Sequence, residues 1–383
     1  MRLSISSSFS IADRAGGIDA SWRLVPMYGI MVSVRDACCV AEARETLATR
    51  FPDALAMGRE LRWFEAVEPW RVRVADAGIG PVIDMHSHLA LSYLLPPTVD
   101  LHARHEGAEH YLPMASPVDL DLYANRNFSK AHLAALRRDL SVNSLTAGGM
   151  RRTHTVPNLL ADMADLGIER SVILPIDFPA LSRNAEAYLD AARTDDRLVS
   201  FGSVHPWAIG RRRRLETQRS AGAKGIKLHP MAQNIRPDDP RAAKLYRLCG
   251  ELGIPVLWHC GPVGIEPPLG RYNSQVRFYE RPIADHPRTV FILGHSGALQ
   301  FEQALALAFR YPNVYLETSS QGLPNVRRMV TEADPTRVVF GSDWPFYHQS
   351  LALAKLLIAT EDRRELRRDL LYGNAAKLLG LAL

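Results

Sequence analysis

From about residue 80 onward, short apolar runs alternate with stretches whose apolar positions recur every three or four residues. This is the rhythm of strands feeding amphipathic helices in a parallel sheet. The apolar runs mark eight candidate strands, at 81–86, 171–176, 198–204, 225–229, 255–259, 290–295, 314–318 and 338–343. Between them, 158–166, 241–252 and 299–309 carry helical spacing, and several such stretches close on glycine or proline. Eight parallel strands, each followed by a helix, predict an α/β fold of the (β/α)8 TIM-barrel type. A doubly wound sheet is the structural rival, but it does not call for a polar residue at the end of nearly every strand.

Two regions break the rhythm. Residues 1–79 carry an extended run near 25–34, a helical stretch at 41–49 and a second extended run at 61–74, which predict a small N-terminal α+β addition. The barrel then occupies 80–383. Residues 89–156 form a long insertion after the first strand, rich in proline, histidine and arginine, with one helix expected at 130–138. Insertions at the carboxyl ends of barrel strands commonly cover the active site.

Composition narrows the class without naming a function. The 383 residues are 47% hydrophobic and 23% charged, which excludes a disordered or collagenous chain. The net charge of +5 is a small excess of 46 basic over 41 acidic residues. The densest basic run, Arg211 to Arg214, reads as a solvated helix face, so no nucleic-acid partner is expected. Cys38, Cys39, Cys249 and Cys260 are too oddly placed for a disulfide framework. No stretch approaches the roughly 20 apolar residues of a membrane span, and the N-terminus lacks a secretory core. A cytoplasmic protein without a membrane partner is the expectation.

The histidines carry the chemistry. Of 13, six lie at or just after the end of a candidate strand: His86, His88, His205, His229, His259 and His295. In a barrel those ends converge on one mouth. His86 and His88 are two apart, so both side chains are expected to face the interior. His259, His295 and Asp343 arrive from the fifth, sixth and eighth strands. Neutral imidazoles with one carboxylate suit Zn²⁺, and also Mn²⁺, Fe²⁺ or Co²⁺. Taken singly, each residue has a plain structural reading as a hydrogen-bonded strand end or a turn. The joint placement is what points to a metal site.

Asp84-Met85-His86-Ser87-His88, Gly225-Ile226-Lys227-Leu228-His229-Pro230, Trp258-His259-Cys260-Gly261, Gly294-His295-Ser296-Gly297 and Gly341-Ser342-Asp343-Trp344-Pro345 resemble the metal-dependent amidohydrolase superfamily. The likeness is to its amidohydrolase-related branch, which contains aminocarboxymuconate semialdehyde decarboxylase and resorcylate decarboxylase types. It covers roughly residues 80–383 and leaves out the first 79. The resemblance implies that His86, His88 and His259 bind one divalent metal, zinc first. It makes Asp343 a ligand or the base for activated water, and His295 an acid/base beside the metal. In two-metal relatives a carbamylated strand-four lysine bridges the ions, which gives Lys227 that alternative role. Otherwise Lys227 binds a substrate anion or forms an ion pair, with Glu317 as partner. His229 and His205 line the pocket or brace it, and Arg126, Arg151 and Arg152 of the insertion are candidates to grip a substrate carboxylate.

The implied activity is metal-dependent hydrolysis of a small organic, carboxylate-bearing molecule. The alternatives are a metal-dependent decarboxylase or hydratase of an unsaturated or aromatic acid and, from another class, a non-catalytic barrel scaffold. The expected partner is a small-molecule substrate, with a homodimer as the candidate assembly.

Overall fold

All eight apolar runs contain strands. β1 (Val82–Ser87), β2 (Ile168–Ile173) and β3 (Leu198–Ser200) form a parallel sheet in that order. β4 (Ile226–Leu228), β5 (Val256–His259), β6 (Phe291–Gly294), β7 (Val314–Glu317) and β8 (Val338–Val339) form a second parallel sheet, again in chain order. The two join at both edges through parallel bridges, Gly202 with Ile226 and Ser87 with Trp344. Lys227 N donates to Gly202 O at 2.8 Å across one seam, and Met85 N to Phe340 O at 2.9 Å across the other. The fold is a TIM barrel. The computed structural model describes residues 47–93, 97–178 and 181–381.

Alternation along the strands sorts the interior into layers. Ile83, Met85, Val172, Val199, Leu257, Ile292 and Val339 fill the barrel with apolar side chains. Ala375, Ala376 and Leu379, from the terminal helix Asn374–Leu379, join this cluster. Two residues further along the strands the same parity brings polar groups, His259 after Leu257 and Glu317 after Tyr315. The opposite face of the strands, including Val256, Trp258, Phe291, Leu293, Val314 and Leu316, packs in the larger core that includes the helices.

The helices largely follow their expected spans. Val156–Asp165, Pro240–Leu252 and Phe301–Arg310 lie within two residues of the sequence readings. Arg211–Ser220 is a surface helix whose Arg212 pairs with Glu216 and Glu251. β8 is shorter than its apolar run: past Val339 the backbone amides of Phe340, Gly341 and Ser342 go to Leu370 O, Thr318 Oγ1 and Asp84 Oδ1 instead of a neighbouring strand, and Asp343 turns at φ +66°.

The run at 25–34, and 41–46 of the helical stretch, lie outside the described residues. Residues 47–49 are not helical; instead Thr49 O accepts from Leu120 N, beside a short antiparallel pair of Arg50–Phe51 with Val118–Asp119 of the insertion. The extended run 61–74 is a hairpin, Phe64–Val67 against Arg71–Val74, broken at Glu68-Pro69. Residues 47–79 pack in the same compact unit as the barrel. The insertion carries the helix Lys130–Ser141, with Ser129 as its N-cap. Among the described residues, no helix is long and apolar enough to cross a membrane.

Candidate active site

At the carboxyl ends of the strands, side chains from β1, β4 and β7 meet across the barrel. His86 lies between Glu317 and Lys227. Its Nδ1 is 2.8 Å from Glu317 Oε2, and its Nε2 is 3.1 Å from Lys227 Nζ. These partners assign the tautomer: Nδ1–H donates to the carboxylate, and the Nε2 lone pair accepts from the amine. Glu317 also accepts from His295 N at 3.0 Å, Ser319 N at 2.5 Å and Ser319 Oγ at 2.7 Å. Gly341 makes room for this carboxylate, since a Cβ there would stand 2.0 Å from Glu317 Oε1.

Asp343 faces the same place from just past β8, beside β1, where its N donates to His86 O at 2.8 Å. Its Oδ1 lies 3.6 Å from His86 Nε2 and 3.7 Å from His88 Nε2. Its Oδ2 accepts from Ser320 Oγ at 3.2 Å and stands 4.0 Å from His295 Nδ1. His88 donates its Nδ1–H to Leu174 O at 2.7 Å, which leaves Nε2 as a free lone pair. Outer hydrogen bonds of this kind fix the orientation of metal-binding histidines. His86, His295 and Asp343 offer donor atoms all within 4.8 Å of one another. Three residues at the mouth, His295, Ser320 and Asp343, hold left-handed backbone at φ +58°, +62° and +66°. Such conformations cost on the order of 1–3 kcal/mol each and persist where the surroundings over-determine them.

Electrostatics suit a cation. Burial, reinforced for the first two by the Lys227 charge, pushes His88 and His259 down to about 3 and His86, His229 and His295 well below the ordinary imidazole value. All five are therefore neutral donors at pH 7. Burial likewise raises Glu317 to about 7 and lifts Asp343 well above the carboxylate range, while lowering Lys227 to about 8. Strong perturbation of clustered groups in a cavity marks a functional site.

The sequence candidates divide clearly. His86, His88, His259, His295 and Asp343 all reach the mouth, but His88 and His259 stand outside the compact group. His259 stacks on His229, ring centroids 4.1 Å apart, and meets His295 edge-on at 4.7 Å. Lys227 touches His86 and makes no direct ion pair with Glu317, because the His86 ring occupies the space between them. His205 does not line the cavity. It bonds Gln233 O at 2.9 Å and accepts from Trp207 N, while Gln233 Oε1 accepts from His229 N, so it braces from behind. Arg151 is buried with its guanidinium on Leu91 O, Thr146 O and Thr98 Oγ1, and so grips backbone rather than substrate. Arg152 and Arg126 are exposed, and Arg152 pairs with Glu109.

A cavity of about 100 Å³ opens above these groups. His88, His229, His259, His295 and Asp343 form its polar end, and Leu91, Tyr93, Ile176, Phe178, Met231 and Phe346 are among its apolar walls. Asn125, Ser320, Tyr123 and Tyr347 complete it, and Tyr347 Oη donates to Asn125 Oδ1. The aromatic groups come from loops, where no periodicity announces them.

Comparison with known proteins agrees with this architecture. Residues 83–381 match the family model described as Amidohydrolase. Among solved structures, an uncharacterized TIM-barrel protein from Bordetella bronchiseptica is 19% identical, with a TM-score of 0.54 over 79% of this chain and 99% of that one. A 2,6-dihydroxybenzoate decarboxylase complexed with 2,6-dihydroxybenzoate is 15% identical, with a TM-score of 0.52 over 78% and 100%. An amidohydrolase 2 from Bifidobacterium longum subsp. infantis is 18% identical, with a TM-score of 0.50 over 79% and 99%. No curated protein sequence matches the chain. At these identities the solved structures speak for the barrel alone, whereas the family model spans most of the sequence and every strand-end motif: the chain belongs to the amidohydrolase family.

Proposed function

We propose that the protein is a metal-dependent hydrolase acting on a small, largely apolar organic substrate. The observation that carries this reading is the two-sided placement of Asp343. One oxygen faces the Nε2 atoms of His86 and His88 at 3.6 and 3.7 Å, and the other turns towards Ser320 and His295. The donor set fits a divalent transition ion, since neutral imidazoles with tethered outer nitrogens and one carboxylate are what Zn²⁺ takes, with Mn²⁺, Fe²⁺ or Co²⁺ as alternatives. When bound, such an ion supplies Lewis-acid polarisation and lowers the pKa of water towards about 7.

The chain's own groups do the rest. Asp343 Oδ2 takes the proton of the attacking water as the new C–O bond forms. Ser319 Oγ donates to Glu317 and accepts from His295 Nδ1–H at 2.8 Å, so His295 Nε2 is a lone pair: it receives the water's proton from Asp343 and passes it to the leaving group as that bond breaks. Glu317 holds the His86 tautomer throughout. The apolar walls exclude bulk water and seat the non-reacting part of the substrate.

A second reading, decarboxylation of an aromatic acid, is favoured by one specific feature. The described cavity lining contains no arginine or lysine, so a substrate carboxylate would find its counter-charge only at the metal centre. The decarboxylase neighbour, known with 2,6-dihydroxybenzoate, has the same fold. A panel of esters, lactones and hydroxybenzoates, run in H₂¹⁸O with CO₂ trapping, separates the two. Label in the product without CO₂ supports hydrolysis, and CO₂ without label supports decarboxylation. Equal turnover by Asp343→Asn would overturn both.

A further inference from the structure

We propose that His110, Asp162 and His348 form a second divalent-metal site, suited to Zn²⁺ and separate from the centre at Asp343. Their donor atoms all lie within 4.8 Å of one another. None of the three lines the substrate cavity. They come from three distant pieces of chain: the insertion, the helix Val156–Asp165 and the N-cap of the helix Gln349–Ala359. Tertiary packing, not local sequence, has gathered them.

The geometry favours coordination. The rings of His110 and His348 stand 5.1 Å apart and nearly perpendicular, at 83°, so their nitrogens can converge instead of stacking face to face. His110 Nε2 is 3.0 Å from Asp162 Oδ2. Two ligands on a tetrahedral zinc with bonds near 2.0–2.1 Å are separated by about 3.3 Å, so the ion needs only a small spreading of this pair. His348 Nδ1 lies 2.7 Å from Ser350 Oγ and accepts from Ser350 N at 3.3 Å; Nε2 is a free lone pair in the tautomer whose Nδ1–H donates to that hydroxyl. That outer tie is the device that orients ligand histidines. Trp344 Nε1 donates to Asp162 Oδ2 at 2.8 Å and fixes the carboxylate from the other side.

The charge states also agree. Burial pushes His348 down to about 4, so it is a neutral donor at pH 7. At Asp162 burial opposes ionisation, but the bonds from His110 and Trp344 outweigh it and hold the carboxyl below its ordinary value. Both histidines are nearly buried and Asp162 is half-buried, which leaves a way in for an ion. A purely structural network would use the same hydrogen bonds to pin Trp344, and only metal binding distinguishes the two.

The test is a Zn²⁺ titration of the full chain against a chromophoric chelator, in a background where the barrel centre is disabled by His88→Ala with Asp343→Asn. One equivalent of Zn²⁺ remaining in that background, with Co²⁺ giving a visible ligand-field band, is the expected result. His348→Ala and His110→Gln should each weaken that equivalent by at least about 100-fold. The glutamine keeps a hydrogen bond to Asp162 and serves where His348→Ala fails to fold. No binding in the background, or binding that neither variant changes, overturns the proposal. One equivalent in both wild type and background, lost with His348, would keep this site and overturn the metal centre at Asp343.

Discussion

Glu317→Gln tests whether the His86 orientation depends on a carboxylate rather than on shape. In the folded chain three donors converge on Oε2, from His86 Nδ1, His295 N and Ser319 Oγ, and one on Oε1, from Ser319 N. A glutamine must set its carbonyl against the three, which leaves its NH₂ facing the Ser319 amide at a position where the two heavy atoms are now 2.5 Å apart. One hydrogen bond is lost and a buried donor is left unpaired, at about 1–3 kcal/mol. The three remaining bonds lose their charge assistance, roughly half their strength. Relief of a buried charge offsets part of this. The net expectation is a loss of about 2–4 kcal/mol in urea unfolding at pH 8, followed by tryptophan fluorescence. Chelator competition should show metal affinity at the barrel centre weakened by about 10–100-fold. A variant within about 0.5 kcal/mol of wild type, with unchanged metal affinity, would refute the reasoning. It would mean that Glu317 carries a proton and that an amide replaces it faithfully.

Other expectations follow from single contacts. Gly341→Ala places a Cβ 2.0 Å from Glu317 Oε1 and 2.9 Å from His86 Cβ, so it should cost about 1–3 kcal/mol in thermal or urea unfolding and weaken metal binding. Lys355, buried on Gln321 O and lowered by burial from 10.5 to about 8, binds its proton less tightly folded than unfolded. Its penalty is full below pH 8 and relieved towards pH 10.5, so wild type should gain up to about 3 kcal/mol relative to Lys355→Met across that window. A flat difference between the two would count against it. Stripping the protein with a chelator should lower its melting temperature by several degrees, and Zn²⁺ or Mn²⁺ should restore it, since a ligand at 100 times its Kd adds about 2.7 kcal/mol.

The barrel was legible because its signal is local and repeated. Each strand is a short apolar run, and the polar residue at or just after the end of nearly every one marks the same rim. The hairpin at 64–74 was not, because apolar alternation runs straight through it and only Glu68-Pro69 breaks the pattern. At the site, residue type and strand position foretold His86, His88, His295 and Asp343 at the mouth. They could not foretell that the His86 ring would separate Lys227 from Glu317. Nor could they separate Arg151 from Arg152, neighbours in sequence: one is folded onto backbone carbonyls and the other lies on the surface beside Glu109. Those outcomes depend mostly on contacts between residues more than 40 positions apart, such as Arg151 with Leu91, Arg152 with Glu109 and His86 with Lys227. The cavity walls from Tyr123, Phe178 and Tyr347 lie in loops that carry no period at all.

The line of side chains from Glu317 through His86 to Lys227 has a mechanical consequence. It ties β7, β1 and β4 together across the barrel, and it passes over both seams, where β8 meets β1 and β3 meets β4. At those seams the backbone hydrogen bonds run from Met85 N to Phe340 O, Asp343 N to His86 O and His88 N to Trp344 O on one side, and from Gly202 N to Gly225 O and Lys227 N to Gly202 O on the other. The girders that close the wall are thus the same side chains that prepare the chemistry. Opening a seam pulls on those same side chains, so loosening of the wall and disturbance of the site are coupled.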